Sequence, residues 1–320
     1  MSSQNDALPK LSIGMPVYNG EQLLADALTS ILSQTFSDFE LIVCDNASSD
    51  RTAEICREFA AQDGRIRYVR NQHNLGAIPN FNRVASLARA PYFKWSANDD
   101  LIAPTFLAEC IDILENDPTV VLAHSATAFI GEDGNDFAWD QSAQAYLDPL
   151  TGAHHRPDPI NIGTSPYPVV RYRQVLNDAL WGTHMFGVMR REALLKTSLL
   201  QNFCSSDRMM LAELALLGRF AATPNRLFMK RLHSRVSWAL NQQELKEFLS
   251  TTDKNYSRRA RQINALISGL RGKPIGFNEK LSLSGIIALH CAKVAGQALT
   301  LKDRKSAARA KIWRTGSSTS

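Results

Sequence analysis

Cysteine is scarce in this 320-residue chain, and none of its five cysteines (Cys44, Cys56, Cys110, Cys204, Cys291) stands at a paired metal-ligand spacing. That excludes a disulfide framework and a structural zinc site, and the thiols read as reduced ones in a cytoplasmic protein. Long hydrophobic runs are missing as well. The nearest, Leu281 to Leu301, is interrupted by His290 and Lys293, and no run reaches the ~18–20 apolar residues that a membrane-spanning helix needs. A packing helix is expected there instead. The opening residues MSSQNDALPK have neither a basic start nor an apolar core, so no secretory leader is expected. Two nucleotide signatures are absent: no Gly-x-Gly-x-x-Gly follows the first apolar run, and there is no Walker A sequence. A nucleotide would have to bind by another geometry. No aromatic–basic motif of the nucleic-acid binders is present either, so no nucleic-acid partner is expected.

What remains is ordinary for a globular protein, 44% hydrophobic and 21% charged, and long enough for about two domains. The charge is divided unevenly. Residues 253–320 carry 14 Lys and Arg against 3 Asp and Glu, a balance of +11, and because the whole chain is +5, residues 1–252 carry −6. A body leaning acidic and a basic tail suggest two modules with different partners.

The first 100 residues repeat one pattern four times: an apolar run, a polar loop, a helical stretch. LSIGMPV leads through YNG to EQLLADALTSILSQ, FELIVC through DNASSD to RTAEICREFAAQ, RIRYVR through NQHNLG to AIPNFNRVASLAR, and PYFKWSA through NDD and Pro104 to TFLAECIDILEN. Strands alternating with helices of this length predict βαβ units and a parallel sheet. Ser48, Ser49 and Asp50 can cap the second helix, and Pro104 suits the first turn of the fourth. In such a sheet every strand-to-helix loop emerges at the carboxyl edge, where ligands bind. Further on, TVVLAHSATAFI reads as a strand, residues 131–170 as a long binding loop, HMFGVMRREALLK as strand then helix, SSDRMMLAELALLGRF as an amphipathic helix, and RLFMKRLHSRVSW as a final strand leaving the core.

Asp99 and Asp100 end an apolar run at the fourth loop. They fit a solvated turn or a cation site. Neighbouring strand residues face opposite ways, so one carboxylate can grip a metal while the other meets a sugar hydroxyl. Oxygen ligands point to Mn²⁺ or Mg²⁺. Asp207, behind Ser205 and Ser206, fits a helix cap or a base that the helix dipole keeps ionised. His233 fits a structural histidine or an extra metal ligand. Trp181 and His184 fit core positions or the lining of an acceptor pocket. His154 and His155 have no partner spacing and read as loop.

LSIGMPVYNGEQLLADALTSILSQTFSDFELIVCDNASSDRT, then NLG, then FKWSANDDLIAPTFL, resembles the family 2 glycosyltransferases, over roughly residues 9–240. The resemblance implies the GT-A fold: an α/β, Rossmann-like, mostly parallel twisted sheet flanked by helices, here with a helical C-terminal extension. It implies a domain over 1–240, with a nucleotide-binding half at 9–100 and an acceptor-binding half at 101–240, and leaves 241–320 as a basic helical extension. It implies nucleotide contacts at Pro16, Val17, Tyr18, Asp45, Asn46, Asn74, Gly76 and Asp99, metal contacts at Asp100 and His233, and Asp207 as catalytic base. Two positions depart from the family pattern. Asn46 stands where many members carry a second acid, which leaves the base open among uracil, thymine and guanine. Ser96, Ala97 and Asn98 supply no acid before the Asp99–Asp100 pair.

The implied activity is inverting, metal-dependent transfer of a hexosyl or related sugar from a nucleotide-diphosphate donor to an acceptor hydroxyl. The acceptor would be a saccharide or lipid-linked saccharide of cell-surface polysaccharide or glycolipid synthesis, and the cofactor Mn²⁺ or Mg²⁺. The basic C-terminal region would touch an anionic membrane at its inner face. Two other classes stay open: a sugar nucleotidyltransferase, whose basic Gly-rich first loop is missing here, and a non-catalytic nucleotide-sugar or carbohydrate-binding protein.

Overall fold

The computed structural model describes residues 8–203, 205–233 and 258–292. Cys204, residues 234–257, which include the end of the stretch RLFMKRLHSRVSW, and residues 293–320 of the basic tail lie outside the described residues.

The expected alternation forms. Strands β1 (Leu11–Val17), β2 (Phe39–Asp45), β3 (Ile66–Arg70) and β4 (Tyr92–Trp95) alternate with helices α1 (Leu24–Leu32), α2 (Thr52–Gln62), α3 (Ala77–Leu87) and α4 (Phe106–Asn116). Every residue of β1 and β2 is buried, which is why both read as unbroken apolar runs rather than as alternating ones. Gly14 has a packing reason in β1. A Cβ there would meet Val84 Cγ2 at 2.8 Å, so α3 can lie close against the strand only over a glycine.

The second half adds β5 (Leu101–Ile102), β6 (Val120–Ile130), β7 (Ala138–Asp140), β8 (Ala145–Leu147), β9 (His154–His155), α5 (Pro168–Asp178), β10 (Val188–Arg190), α6 (Arg191–Leu194), α7 (Ser206–Leu217) and β11 (Arg219–Arg231), and helix α8 (Arg258–Ser268) follows. The main sheet runs β3-β2-β1-β4-β10-β6-β11-β5. It is mixed but mostly parallel, with β10 antiparallel to β4 and β6, and β5 antiparallel to β11. β11 therefore does not leave the core as expected. It lies inside the sheet beside β6 and is cut by register shifts between Thr223 and Phe228.

Two other expectations need correction. Residues 131–170 are not a plain loop, since β7, β8 and β9 form a small antiparallel sheet. His154 and His155 are β9 itself, and His154 Nε2 lies 2.8 Å from Asp140 Oδ2. α7 is not amphipathic in its setting. Met209 through Leu216 are all buried, because the helix lies among α5, α8 and the sheet. The C-terminal residues are joined to this body. Ala265, Leu266, Ile275, Leu283 and Ile287 belong to the main core, and Lys273 pairs with Glu213 of α7 at 3.0 Å, both side chains buried.

Candidate active site at the carboxyl edge of the sheet

The first three loops are laced to one another. Asn19 N–H donates to Ser48 Oγ (3.0 Å), Gly20 N–H to Thr52 Oγ1 (2.8 Å) and Glu21 N–H to Asp50 Oδ2 (3.0 Å). Asp50 also accepts from Thr52 N–H at 3.0 Å, the local bond expected of an acid ahead of α2. Asp45, fully buried at the end of β2, accepts from Ser48 N–H (2.8 Å), Tyr68 Oη (2.7 Å) and the Arg70 guanidinium. Burial, together with the bond to Asp45, pushes the Tyr68 phenol up to about 12. Asn46 spends its whole amide on the third loop. Its Oδ1 accepts from Asn71 Nδ2 (2.8 Å) and Leu75 N–H (2.9 Å), and its Nδ2 donates to Asn74 Oδ1 (2.7 Å) and the Gly76 carbonyl (3.1 Å). An acid at this position could not make the two donations. Tyr18, 49% exposed, is the residue of this group that offers an open aromatic face.

The fourth loop meets the end of β11. Asp99 and Asp100 do face different partners, as their adjacency suggests. Asp99 Oδ2 lies 2.9 Å from His233 Nε2. Asp100, expected to hold the cation, is engaged otherwise: its oxygens accept from Lys230 Nζ at 3.2 and 3.1 Å and from Arg231 N–H at 2.9 Å. The reason is register. β11 ends beside the fourth loop and brings a lysine where only the histidine had been expected. Burial would lower Lys230, but attraction to Asp100 and Asp99 wins and its pKa is raised. Burial likewise works against Asp99, yet the His233 bond and the Lys230 charge hold its carboxyl low. Arg231, 1% exposed, closes the corner by donating to the Asp99 carbonyl (2.8 Å) and the Glu132 carbonyl (2.7 Å).

Among the described residues no three His, Cys, Asp or Glu side chains gather as a metal cluster. Asp99 and His233 remain as a pair. Mg²⁺-like cations are commonly held by one or two protein ligands and complete their shell with phosphate oxygens and water, and the ionised, one-fifth exposed Asp99 side chain fits such use.

Asp207 enters through α7. That helix hands over to β11 at Arg219, so it runs against the strands and its first turn sits at the carboxyl edge. No side chain caps it, and Ser205 holds the left-handed region with φ 68°. The Asp207 carboxylate lies against the α-carbon of Gly182, where a Cβ would meet Asp207 Oδ2 at 2.4 Å. Desolvation pushes its pKa up, with the neighbouring Asp158 charge adding to the rise.

The expected acceptor residues have firm packing roles. Trp181 donates Nε1–H to the Arg156 carbonyl (2.7 Å) and packs edge-on against His155 and tilted against Phe129. His184 is buried against His124, ring centroids 4.6 Å apart, with Nε2 3.2 Å from the Pro159 carbonyl, and desolvation lowers its pKa. Pro16 and buried Val17 end β1 beneath Tyr18. Asn74 and Gly76 lie in the loop that Asn46 braces. Sequence reasoning missed Asp158, Lys230 and Arg231. For the last two the signal was a pair of cations inside the apolar run RLFMKRL, and Asp158 gave none.

The chain is similar to known proteins in sequence and in shape. The family model for glycosyl transferase family 2 matches residues 12–197. An uncharacterized glycosyltransferase of Methanocaldococcus jannaschii, MJ1057, is 34% identical over 129 residues, 40% of this chain and 44% of the relative. Chondroitin synthase of Escherichia coli is 28% identical over 152 residues, 46% of this chain and 22% of the relative. The chain thus spans less than half the length of these curated relatives. Among solved structures, S. aureus TarS 1–349 in complex with UDP-GlcNAc aligns with TM-score 0.57 at 13% identity, covering 88% of this chain and 71% of that one. The mannosyltransferase PcManGT of Pyrobaculum calidifontis in complex with GDP-Man and Mn²⁺ aligns with TM-score 0.53 at 16% identity, covering 97% and 83%. Both likenesses place the sheet in the GT-A fold. With the family model spanning more than half of its length, the chain belongs to glycosyl transferase family 2.

Proposed function

We propose that the chain moves a sugar from a nucleoside-diphosphate donor to an acceptor hydroxyl in a single displacement that inverts the anomeric centre. The observation that supports this reading is that the Asp99–His233 pair beside Lys230 and the desolvated Asp207 in the first turn of α7 stand at the same edge of the sheet. Tyr18 and the loop after Pro16 and Val17 cover the base, with Asp45 and Asn46 shaping the floor of that pocket through the braced segment at Asn74 and Gly76. Asp99 and His233 would hold a divalent cation, Mn²⁺ or Mg²⁺, whose charge would stabilise the departing diphosphate. Asp100 supports the corner by fixing Lys230 and β11 rather than serving as the first ligand. Asp207 accepts the proton of the acceptor hydroxyl as that oxygen attacks the anomeric carbon. Trp181 and His184 shape the acceptor side through the loop they anchor.

The acceptor is a saccharide or lipid-linked saccharide of surface polysaccharide or glycolipid synthesis, in keeping with a relative named chondroitin synthase. No helix among the described residues is long and apolar enough to cross a membrane. Residues 277–292 are helical and expose Phe277, Leu281 and Leu289 near Lys280, which supports peripheral contact with an anionic surface at the inner face of the membrane. Salt-insensitive, weak binding to anionic liposomes would remove that contact.

A thermal-shift screen of nucleotide sugars with and without Mn²⁺ tests the donor reading, because a ligand that binds only the folded state raises Tm by mass action. One nucleotide sugar is expected to stabilise the protein, more so with Mn²⁺. No shift with any of them would contradict the reading. The non-catalytic alternative draws on Asn46 and the two-ligand cation pair, and slow metal-dependent hydrolysis of the stabilising donor would argue against it.

A further inference from the structure

The segment 156–162 carries a carboxylate that neither the family pattern nor the donor reading uses. Asp158, with a side chain 2% exposed, accepts from the backbone N–H groups of Leu180 (2.5 Å) and Trp181 (2.9 Å) on Oδ1. On Oδ2 it accepts from Thr183 N–H (2.8 Å) and Thr183 Oγ1–H (2.7 Å). One buried carboxylate therefore binds four donors of a single loop. Hydrogen bonds to a carboxylate are stronger than those between neutral groups, so four of them hold the loop firmly.

The loop so gripped ends against Asp207. Gly182, with φ 68°, presents its bare α-carbon to the Asp207 carboxylate. Arg208, the next residue of α7, reaches back to the Leu180 carbonyl at 3.4 Å. Trp181 Nε1–H and His184 Nε2 lean on the carbonyls of Arg156 and Pro159, so the same segment supports the loop at both ends. The charged groups acting on Asp207 are Asp158 from this segment and Arg208 from its own helix. His184, 3.7 Å from Asp158 Oδ2, is the remaining titratable neighbour of the clamp.

We infer that Asp158 is a positioning residue for the transfer step: by clamping residues 180–183 it fixes the Gly182 wall that sets the place of Asp207 and keeps a second negative charge near that base. This rests on Asp207 serving as the base. The step it serves is balanced: the acceptor O–H bond breaks, its proton goes to the Asp207 carboxylate, the oxygen bonds to the anomeric carbon, and the nucleoside diphosphate leaves with the electron pair of the C–O bond.

The test uses the full chain, with Asp158→Asn, Thr183→Val, Thr183→Ser and Asp207→Asn compared by kcat, donor KM and the pH dependence of kcat. Asparagine keeps the shape but loses the charge and the acceptor for two of the four donors. Asp158→Asn is expected to lower kcat by about tenfold to a hundredfold, to leave donor KM within about twofold, and to move the acid limb of the kcat profile to lower pH. Thr183→Val is expected to lower kcat by a few fold and Thr183→Ser, which retains the hydroxyl, to restore it. If Asp158→Asn does not fold, the threonine pair decides the matter alone. An unmoved acid limb, a loss appearing only in donor KM, or equal losses for Thr183→Val and Thr183→Ser would overturn the inference. Near-normal turnover by Asp207→Asn would instead remove the base reading on which it stands.

Discussion

Between residues 9 and 76 the strand-to-helix loops are braced to one another largely by neutral groups, as with Asn46 and the 71–76 segment or the Asn19 and Gly20 amides on Ser48 and Thr52, with Asp45 on Arg70 as a buried charge among them. Between 101 and 233 several buried charges take partners from other elements: Arg231 on the Asp99 and Glu132 carbonyls, Asp158 on the 180–183 loop, and Lys230 reaching back to Asp100. Bracing of the first kind makes a rigid cradle, as the proposed donor pocket requires. Buried charges are costly to desolvate and tolerated where they neutralise or are neutralised. In the proposed reaction they stand where the diphosphate would depart and the proton would move.

The largest expected effect breaks the second half at its base. Asp207→Asn should lower kcat by about 10²–10⁴-fold, the range for a lost general base. The same change should raise Tm at pH 7. The folded-state pKa of Asp207 is raised, so the folded protein binds that proton more tightly than the unfolded chain. Stability from this group is therefore full below the ordinary carboxylate value and lost as pH rises through the raised one. Asparagine removes that cost, whereas a capping role would make Tm fall. Calorimetry beside the kinetic assay separates the two.

Next comes the Asp100–Lys230 pair. Lys230→Met leaves a buried carboxylate without its cation and should cost about 3–5 kcal/mol in chemical denaturation. Combining it with Asp100→Asn should recover most of that loss, a coupling that a double-mutant cycle reads directly. Simple additivity would mean the two residues act apart. In the first half, Asn46→Ala should cost about 1–3 kcal/mol by orphaning donors and acceptors of the 71–76 loop, with faster amide exchange confined to that loop. Smallest of all, Tyr18→Ala should weaken donor binding by about fivefold, the lower end of the roughly 1–3 kcal/mol of an aromatic contact because the ring is half exposed, and leave Tm unchanged.

The same contrast explains what the sequence made legible. LSIGMPV and FELIVC became β1 and β2 almost residue for residue, because strands buried on both faces announce themselves as continuous apolar runs. The small sheet of β7, β8 and β9 stayed hidden, since strands of three, three and two residues are too short to show a period. α7 showed a pattern but not its surroundings, which bury it all round. In the site, the Asp99–Asp100 pair stood out as a carboxylate doublet, but which carboxylate meets which partner depends on Lys230 of β11 and on His233 just beyond it, which arrive 130 or more residues later. Lys94 gave no hint either. It is fully buried with Nζ on the Trp95 carbonyl, and desolvation brings its pKa down to about 7. Local pattern specifies the cradle, and long-range pairing specifies the reacting side.

The single displacement with Asp207 as its one base is most directly tested by the anomeric configuration of the first-formed product. With an α-linked nucleotide-sugar donor that stabilises the protein, NMR of the early transfer product is expected to show a β-linkage. A product that retains the α-configuration would require a second displacement, and would contradict Asp207 as the sole base of the transfer.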